Sequence, residues 1–369
     1  MAKDPDPSQG ALHVTPGVEA APSINPHLQT TPRRKRLALE AYVEGVRAGD
    51  RVVLGQAITL LESTKPAHQD LAHQLIDRCL PYTGNAIRVG ITGVPGVGKS
   101  TFIEALGTHL TGLGHRPAVL TIDPTSTRTR GSILGDKTRM ARLAADPNAF
   151  IRPSPSAGSL GGVARTTQET ILLCEAAGFD TVIVETVGVG QSEVAVHAMV
   201  DFFLLLVLAG AGDELQGIKR GVVEMADAIA VTKADGANVA QARTARGEYR
   251  NALTLFPPKP SAWWPPVLLC SALTGDGIDA VWQTIEAYRA QTQASGYFER
   301  NRQQQAHAWM MHTVEHQLRA RFFAHPGVQK ALGPLEKDVI AGNISSYTAA
   351  RQLLALYREA EDAAENPGA

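Results

Sequence analysis

The sequence predicts an α/β fold in which a mostly parallel central sheet is flanked by helices, with further helical segments before and after it. Three observations lead there. Between about Ile87 and Trp282, short apolar runs alternate with helical stretches, the pattern of strands joined by crossover helices. Several of those runs, Phe202–Leu208 above all, are apolar almost throughout, as strands covered on both faces must be. Outside that interval, apolar residues recur at helical spacing instead.

Taken in chain order, residues 1–36 are rich in Pro, Ser and Thr, lack apolar periodicity and end in Arg33-Arg34-Lys35-Arg36. That composition predicts a disordered tail, its basic run either a solvated cluster at a helix start or a docking patch. Residues 37–83 read as an N-terminal helical segment: Asp50 is placed to cap a helix carrying Val53, Ala57, Leu60 and Leu61, and Leu71, Leu75, Ile76 and Leu80 suit a second. Residues 84–290 form the expected sheet domain, with strands at 88–92, 118–122, 149–152, 181–185, 202–208, 228–232 and 267–271. Residues 291–369 read as a C-terminal helical arm. In it Met310, Val314, Leu318 and Phe322 recur every fourth residue, and 347–357 is also amphipathic. Such a stripe is either intramolecular core or an oligomer interface.

Composition narrows the class. Of 369 residues, 44% are hydrophobic and 19% charged, enough for one large globular α/β domain plus helices. Lys and Arg total 35 against 36 for Asp and Glu, so no basic field exists to neutralise a phosphate backbone, and nucleic acid is not an expected partner. The three cysteines, Cys79, Cys174 and Cys270, are too dispersed for a disulfide framework or a CxxC clamp and read as buried thiols in a reducing compartment. The most apolar run is about half of the ~20 residues a membrane span needs. The start Met1-Ala2-Lys3-Asp4 lacks an apolar signal core, and its early acids count against a transit peptide, so the expected location is cytoplasmic.

The strongest chemical signal is Gly93-Val94-Pro95-Gly96-Val97-Gly98-Lys99-Ser100-Thr101, which follows a strand and opens a helix at about Lys99. This is the context of a P-loop NTPase. Glycines let backbone N–H groups turn toward phosphate oxygens, Lys99 neutralises the β and γ phosphates, and the Ser100 hydroxyl coordinates Mg²⁺. Thr232-Lys233-Ala234-Asp235 follows the sixth strand and Ser271-Ala272-Leu273 the seventh. At that place Asp235 can accept from the guanine ring and its exocyclic amine while the Lys233 stem covers the base. Adenine presents the wrong donors to a carboxylate there.

Hydrolysis calls for carboxylates near the γ phosphate. Glu185, at a strand end, can hold Mg²⁺ through water, and Gly188 can offer its N–H to the γ phosphate. Asp123 and Asp136 are candidates for the metal shell or for positioning the attacking water. Their bland readings are a helix cap and a turn residue. Lys99, Asp136 and Glu185 are the expected catalytic set. No glutamine follows Gly188 directly, and Gln191 stands three places on, so slow intrinsic hydrolysis is expected.

Further stretches are Ile122-Asp123-Pro124, then Gly131-Ser132-Ile133-Leu134-Gly135-Asp136-Lys137-Thr138-Arg139-Met140, then Gly158-Ser159-Leu160-Gly161-Gly162-Val163-Ala164-Arg165. They continue as Glu185-Thr186-Val187-Gly188-Val189-Gly190-Gln191-Ser192-Glu193 and Gly212-Asp213-Glu214-Leu215-Gln216-Gly217-Ile218-Lys219. With the P-loop, these cover most of residues 37–360 in order, and the chain resembles the methylmalonyl-CoA mutase-associated GTPases, called MeaB in bacteria. The resemblance implies a homodimeric chaperone of an adenosylcobalamin-dependent acyl-CoA mutase, using GTP and Mg²⁺ to gate cofactor loading and to protect or rescue the mutase. It also implies that Asp123 and Asp136 belong to a first switch and 185–193 to a second. A third switch, 210–220, would communicate with the mutase through Asp213, Glu214, Gln216 and Lys219, and the C-terminal helices would form the dimer arm. The sequence departs from the family pattern at Thr232, where Asn is usual. A nickel-insertion GTPase and a small-molecule P-loop kinase are the competing readings. Neither a CxxC metal store nor an acceptor lid separate from the switch segments is apparent in the sequence.

Overall fold

The structure, a computed structural model, describes residues 37–123, 139–155, 160–186, 192–210 and 220–365. At the start of this span lie α1 (Leu39–Arg47), α2 (Arg51–Leu61) and α3 (Pro66–Cys79). Asp50 caps α2 as its sequence position suggests, Oδ1 accepting from Val52 N at 2.8 Å and Val53 N at 3.1 Å. The buried face of α2 differs from the expected one by a residue. Ala57, Leu60 and Leu61 are buried as expected, joined by Leu54 and Ile58, while Val53 is half-buried against Gly45 of α1, where a Cβ would lie 2.6 Å from it. In α3 the position one turn after buried Leu75 is Cys79, so Leu80 rotates outward, 52% exposed, as the chain tightens into a 3₁₀ turn.

The sheet comprises β1 (Ile87–Gly93), β2 (Pro117–Asp123), β3 (Phe150–Pro155), β4 (Thr181–Thr186), β5 (Phe202–Leu208), β6 (Ala228–Thr232) and β7 (Val267–Leu269). Its order is β3-β2-β4-β1-β5-β6-β7, with every pairing parallel. All seven expected strands are present. β3 runs three residues past its expected end because it stays paired with β2 as far as Asp123. β7 ends two residues early, since Ser271 turns the chain: its N–H donates to Asp276 O and its Oγ accepts from Leu273 N and Thr274 N.

The connections are α4 (Lys99–Gly112), α5 (Ala141–Ala145), α6 (Leu160–Ala176), α7 (Ser192–His197), α8 (Arg220–Met225), α9 (Val239–Leu253) and α10 (Ile278–Ala294). One sheet face buries Ile87, Val89 and Ile91 against Phe102 and Ile103 of α4 and Trp282 and Ile285 of α10. The other buries Leu205, Val207, Ile229 and Val231 against Val223 of α8 and Ala242 and Tyr249 of α9. Cover on both faces is why these strands are apolar at consecutive positions rather than alternate ones. The three thiols are buried and unpaired with one another, and burial pushes Cys270 up to about 12 and raises Cys79 and Cys174 as well.

Three helices follow: α11 (Tyr297–Ala324), α12 (Pro326–Ile340) and α13 (Ser346–Glu365). The base of α11 is fastened by Arg302. Its guanidinium donates to Gly84 O and Ala86 O, both at 2.6 Å, and to both Asp201 carboxylate oxygens at 2.7 and 2.6 Å. Farther along α11, Phe322 packs on Tyr357 of α13, while Met310, Val314 and Leu318 are 53%, 45% and 58% exposed. Most of the expected stripe is therefore uncovered within this chain. Among the described residues, no helix is long and apolar enough to cross a membrane.

Candidate nucleotide site

β1 lies where the strand order reverses, with β4 on one side and β5 on the other. The carboxyl ends of strands at such a point form the crevice in which α/β proteins bind ligands. The loop from Gly93 to Gly98 occupies it. A Cβ on Gly93 would sit 2.5 Å from Leu206 O of β5, so only glycine lets the chain leave the sheet this close to its neighbour. Gly96 and Gly98 take φ of 83° and 96°, the left-handed region that glycine enters without strain. Val97 is buried beneath the loop, Pro95 and Gly96 are exposed at its tip, and Val94 is half-buried. α4 begins at Lys99, so its unpaired N–H groups and the positive end of its dipole face the loop.

Lys99 Nζ folds back over the loop and donates to Gly93 O at 2.6 Å. Burial lowers its pKa, and the carboxylates of Glu185 and Glu193 act in the opposite direction. The next residue, Ser100, donates from its hydroxyl to Glu185 Oε1 at 3.1 Å. Thr101 is exposed. Glu185 is brought here by register, because β4 pairs with β1 so that Glu185 stands opposite Ile91. One residue on, Thr186 Oγ1 donates to Thr92 Oγ1 at 2.9 Å, closing the two strand ends together. An ammonium, a hydroxyl and a carboxylate thus stand together at one helix N-terminus, the constitution of a site for phosphate with a hard cation.

Thr232 ends β6, its hydroxyl buried and set between Val97 O at 2.8 Å and Val207 O at 3.2 Å. It braces the P-loop from behind. Lys233 has φ of 54° and sends its Nζ across to Gly96 O at 3.0 Å, laying its stem along the loop. Asp235 Oδ2 accepts from Ser271 Oγ at 2.5 Å, which ties the β6 loop to the β7 loop; Ala272 is half-buried there and Leu273 exposed. The structure therefore gathers Lys99, Ser100, Glu185, Thr232, Lys233, Asp235 and Ser271 around one end of the sheet. Asp123 ends β2 beside β4, its side chain outside the described set. Asp136, Gly188, Asp213, Glu214, Gln216 and Lys219 also lie outside the described residues.

Two contributors were not legible as site residues from local pattern. Glu193, buried near the start of α7, bears electrostatically on Lys99, and only the family resemblance had placed it in a switch. Asn238 donates from Nδ2 to Lys233 O at 2.7 Å and holds the strained turn. The turn Asp235-Gly236-Ala237-Asn238 carries the local signal that could have found it.

A sequence profile of the family described as methylmalonyl-CoA mutase-associated GTPase MeaB matches residues 54–327. The chain belongs to this family. A probable GTPase of Mycobacterium tuberculosis is 54% identical over 316 residues, covering 86% of this chain and 94% of that protein. The GTPase ArgK of Escherichia coli is 47% identical over 85% of this chain and 95% of its own length. The mouse methylmalonic aciduria type A homolog, mitochondrial, is 42% identical over 91% and 83% respectively. A crystal structure of an LAO/AO transport system kinase superposes with a TM-score of 0.70 at 40% identity, covering 87% of this chain and 97% of that one. Family membership and the P-loop site together make this MeaB-family protein a GTPase that binds GTP and GDP.

Proposed function

We propose that the chain is a guanine-nucleotide switch serving an adenosylcobalamin-dependent acyl-CoA mutase: it couples GTP binding and hydrolysis to cofactor loading and to protection or reactivation of the mutase. The observation that carries this reading is the match across residues 54–327 to a family described by its association with methylmalonyl-CoA mutase. The name of the mouse relative, methylmalonic aciduria type A homolog, points the same way.

In this reading the 93–101 loop holds the phosphates and Lys99 offsets their charge. Asp235, Lys233, Thr232 and the 271–273 turn read the base. Ser100 and Glu185 are oxygen donors 3.1 Å apart, a pair that fits Mg²⁺. Bound there, the ion would neutralise charge on the β and γ phosphates. Asp123 and Asp136 would complete its surroundings, and Gly188 would sense the γ phosphate. Without a glutamine directly after Gly188, turnover by the chain alone is slow and the partner accelerates it. Asp213, Glu214, Gln216 and Lys219 would carry nucleotide state to the mutase. The uncovered Met310, Val314 and Leu318 suit a homodimer contact in an arm that starts near residue 291. A cytoplasmic site of action, with neither nucleic acid nor membrane as partner, accords with the balanced charge.

The experiment is GTP turnover with and without an adenosylcobalamin-dependent acyl-CoA mutase, for the wild type and Lys219→Ala. The expected result is stimulation of the wild type and weaker stimulation of the variant at equal basal rate. Absence of stimulation in the wild type contradicts the mutase reading, and equal stimulation of both removes Lys219 from the coupling.

A further inference from the structure

A second cavity, of about 430 Å³, opens at the sheet edge opposite the P-loop. Its floor is the amino ends of β5 and β6, where Phe203 and Asp227 lie. Asp227 and Thr232 are five residues apart on an extended strand, roughly 16 Å at ~3.3 Å per residue, so this cavity and the nucleotide site are separate. Its volume falls within the usual range for small-molecule sites.

The walls are aromatic and stiff. Trp264, 53% exposed, stands at the rim, with Trp263 and Phe256 half-buried beside it. Pro257, Pro258, Pro260 and Pro265 lie in the same loop and fix its backbone. Trp263 Nε1 donates to Asp227 O at 2.8 Å, locking that ring in place.

The strong charges inside are already paired. Asp227 takes Lys259 Nζ on Oδ1 at 2.7 Å and Phe203 N on Oδ2 at 2.9 Å, and Lys259 also donates to Met225 O. Asp201 is held by Arg302. His197 contributes an imidazole whose pKa is lowered by burial, so it is neutral at physiological pH.

What remains open is neutral inside the cavity and carries one carboxylate, Glu224, at its rim. Tyr288 is 3% exposed, its ring clasped edge-on by Phe202 and Trp263 at 5.1 and 5.4 Å. Among the described residues its hydroxyl has no hydrogen-bond partner, although Asp227, Tyr297 and Asp201 all lie near enough to act on it. The hydroxyl is open to the cavity, and a ligand there can supply the partner that a phenol usually finds. Tyr297, a half-buried side chain on the same wall, likewise has no hydrogen-bond partner for its hydroxyl among the described residues. Glu224 stands at the rim without an ion-pair partner among the described residues.

We propose that this cavity is a second binding site, for an unphosphorylated nucleoside. Flat aromatic and proline faces receive the base, and the two phenols meet its ring nitrogens and exocyclic groups. Glu224 is placed to accept from sugar hydroxyls, as acidic residues do toward ribose in dinucleotide folds. A phosphate would meet no unpaired cation among the described lining residues and would face Glu224.

The test titrates adenosine, inosine and cytidine into GDP-saturated full-length protein, following tryptophan fluorescence excited above the nucleoside absorption. At least one nucleoside is expected to give a saturable change that excess GDP does not displace, and its 5′-monophosphate should bind at least about tenfold more weakly. Tyr288→Phe should weaken binding by about fivefold and Trp264→Ala further, both at wild-type basal GTP turnover, which serves as the check on folding. No saturable response to any of the three, displacement by GDP, equal binding of the monophosphate, or wild-type binding by both variants would each overturn the proposal.

Discussion

The Ser100 hydroxyl donates to the Glu185 carboxylate across 3.1 Å, joining the first turn of the helix after the P-loop to the end of the neighbouring strand. Glu185 is 4% exposed, and the parallel pairing of β1 with β4 sets its position. If this pair is where Mg²⁺ is held, Glu185→Gln should reduce Mg²⁺-dependent GTP turnover by about 10–100-fold, the range for altering a group that supports a metal site. Steady-state phosphate release across a Mg²⁺ titration checks it. A variant within twofold of wild type at all Mg²⁺ concentrations removes Glu185 from the metal shell.

Thr232 ties the end of β6 to the P-loop through its hydroxyl. Thr232→Val keeps the shape but leaves Val97 O and Val207 O without that donor in a buried setting. The expected loss is about 1–3 kcal/mol of stability, together with weaker GTP binding. Urea unfolding and a GTP titration measure the two effects. If the variant keeps wild-type stability and affinity, the hydroxyl is not a brace.

Arg302 holds the base of the C-terminal arm on the sheet, its partner Asp201 2% exposed. Removing one member of a buried pair strands the other, so Arg302→Ala should destabilise the protein by about 3–5 kcal/mol. Arg302→Lys should recover part of this, because one ammonium cannot reach both Asp201 oxygens and two carbonyls at once. Unfolding midpoints of the three proteins decide the matter; equal midpoints would contradict the clamp.

His197 gives stability a pH dependence of defined sign. Burial lowers its folded pKa below the ordinary 6.5. Above that value both folded and unfolded chains carry a neutral ring, and its contribution is fully present. As pH falls from about 6.5 toward the folded value, the unfolded chain takes up a proton that the folded chain does not, and stability is lost. Nearby Asp227 opposes the shift and Lys259 reinforces it. The difference in unfolding free energy between wild type and His197→Gln should therefore change between pH 7 and 5, with the wild type losing more. A pH-independent difference would mean that His197 titrates alike in both states.

How much of this was legible in the sequence follows from the range of each interaction. The central strands were readable because burial on both faces writes itself into consecutive residues, as in Phe202–Leu208. The P-loop was readable because its geometry needs glycine, lysine and serine within nine positions. Exact faces were less so: Val53 and Leu80 are apolar and near the right phase, but the crossing at Gly45 and the 3₁₀ turn after Cys79 decide which neighbour is buried. Contacts between distant segments were not readable at all. Arg302 and Asp201 are 101 residues apart, and the second cavity draws its lining from α7, the 253–265 loop, α10 and α11. No local pattern announces such a meeting.

The most direct test of the nucleotide site is phosphate release from GTP and from ATP by the purified full-length chain, wild type beside Lys99→Ala. Lys99 lies at the start of α4 with its ammonium over the loop, so the substitution removes that ammonium while the buried residues of α4 stay in place. The account predicts Mg²⁺-dependent release from GTP, little from ATP, and near-complete loss of GTP turnover in a Lys99→Ala protein with unchanged circular dichroism. Wild-type GTP turnover in Lys99→Ala, or equal turnover of ATP and GTP by the wild type, would contradict it.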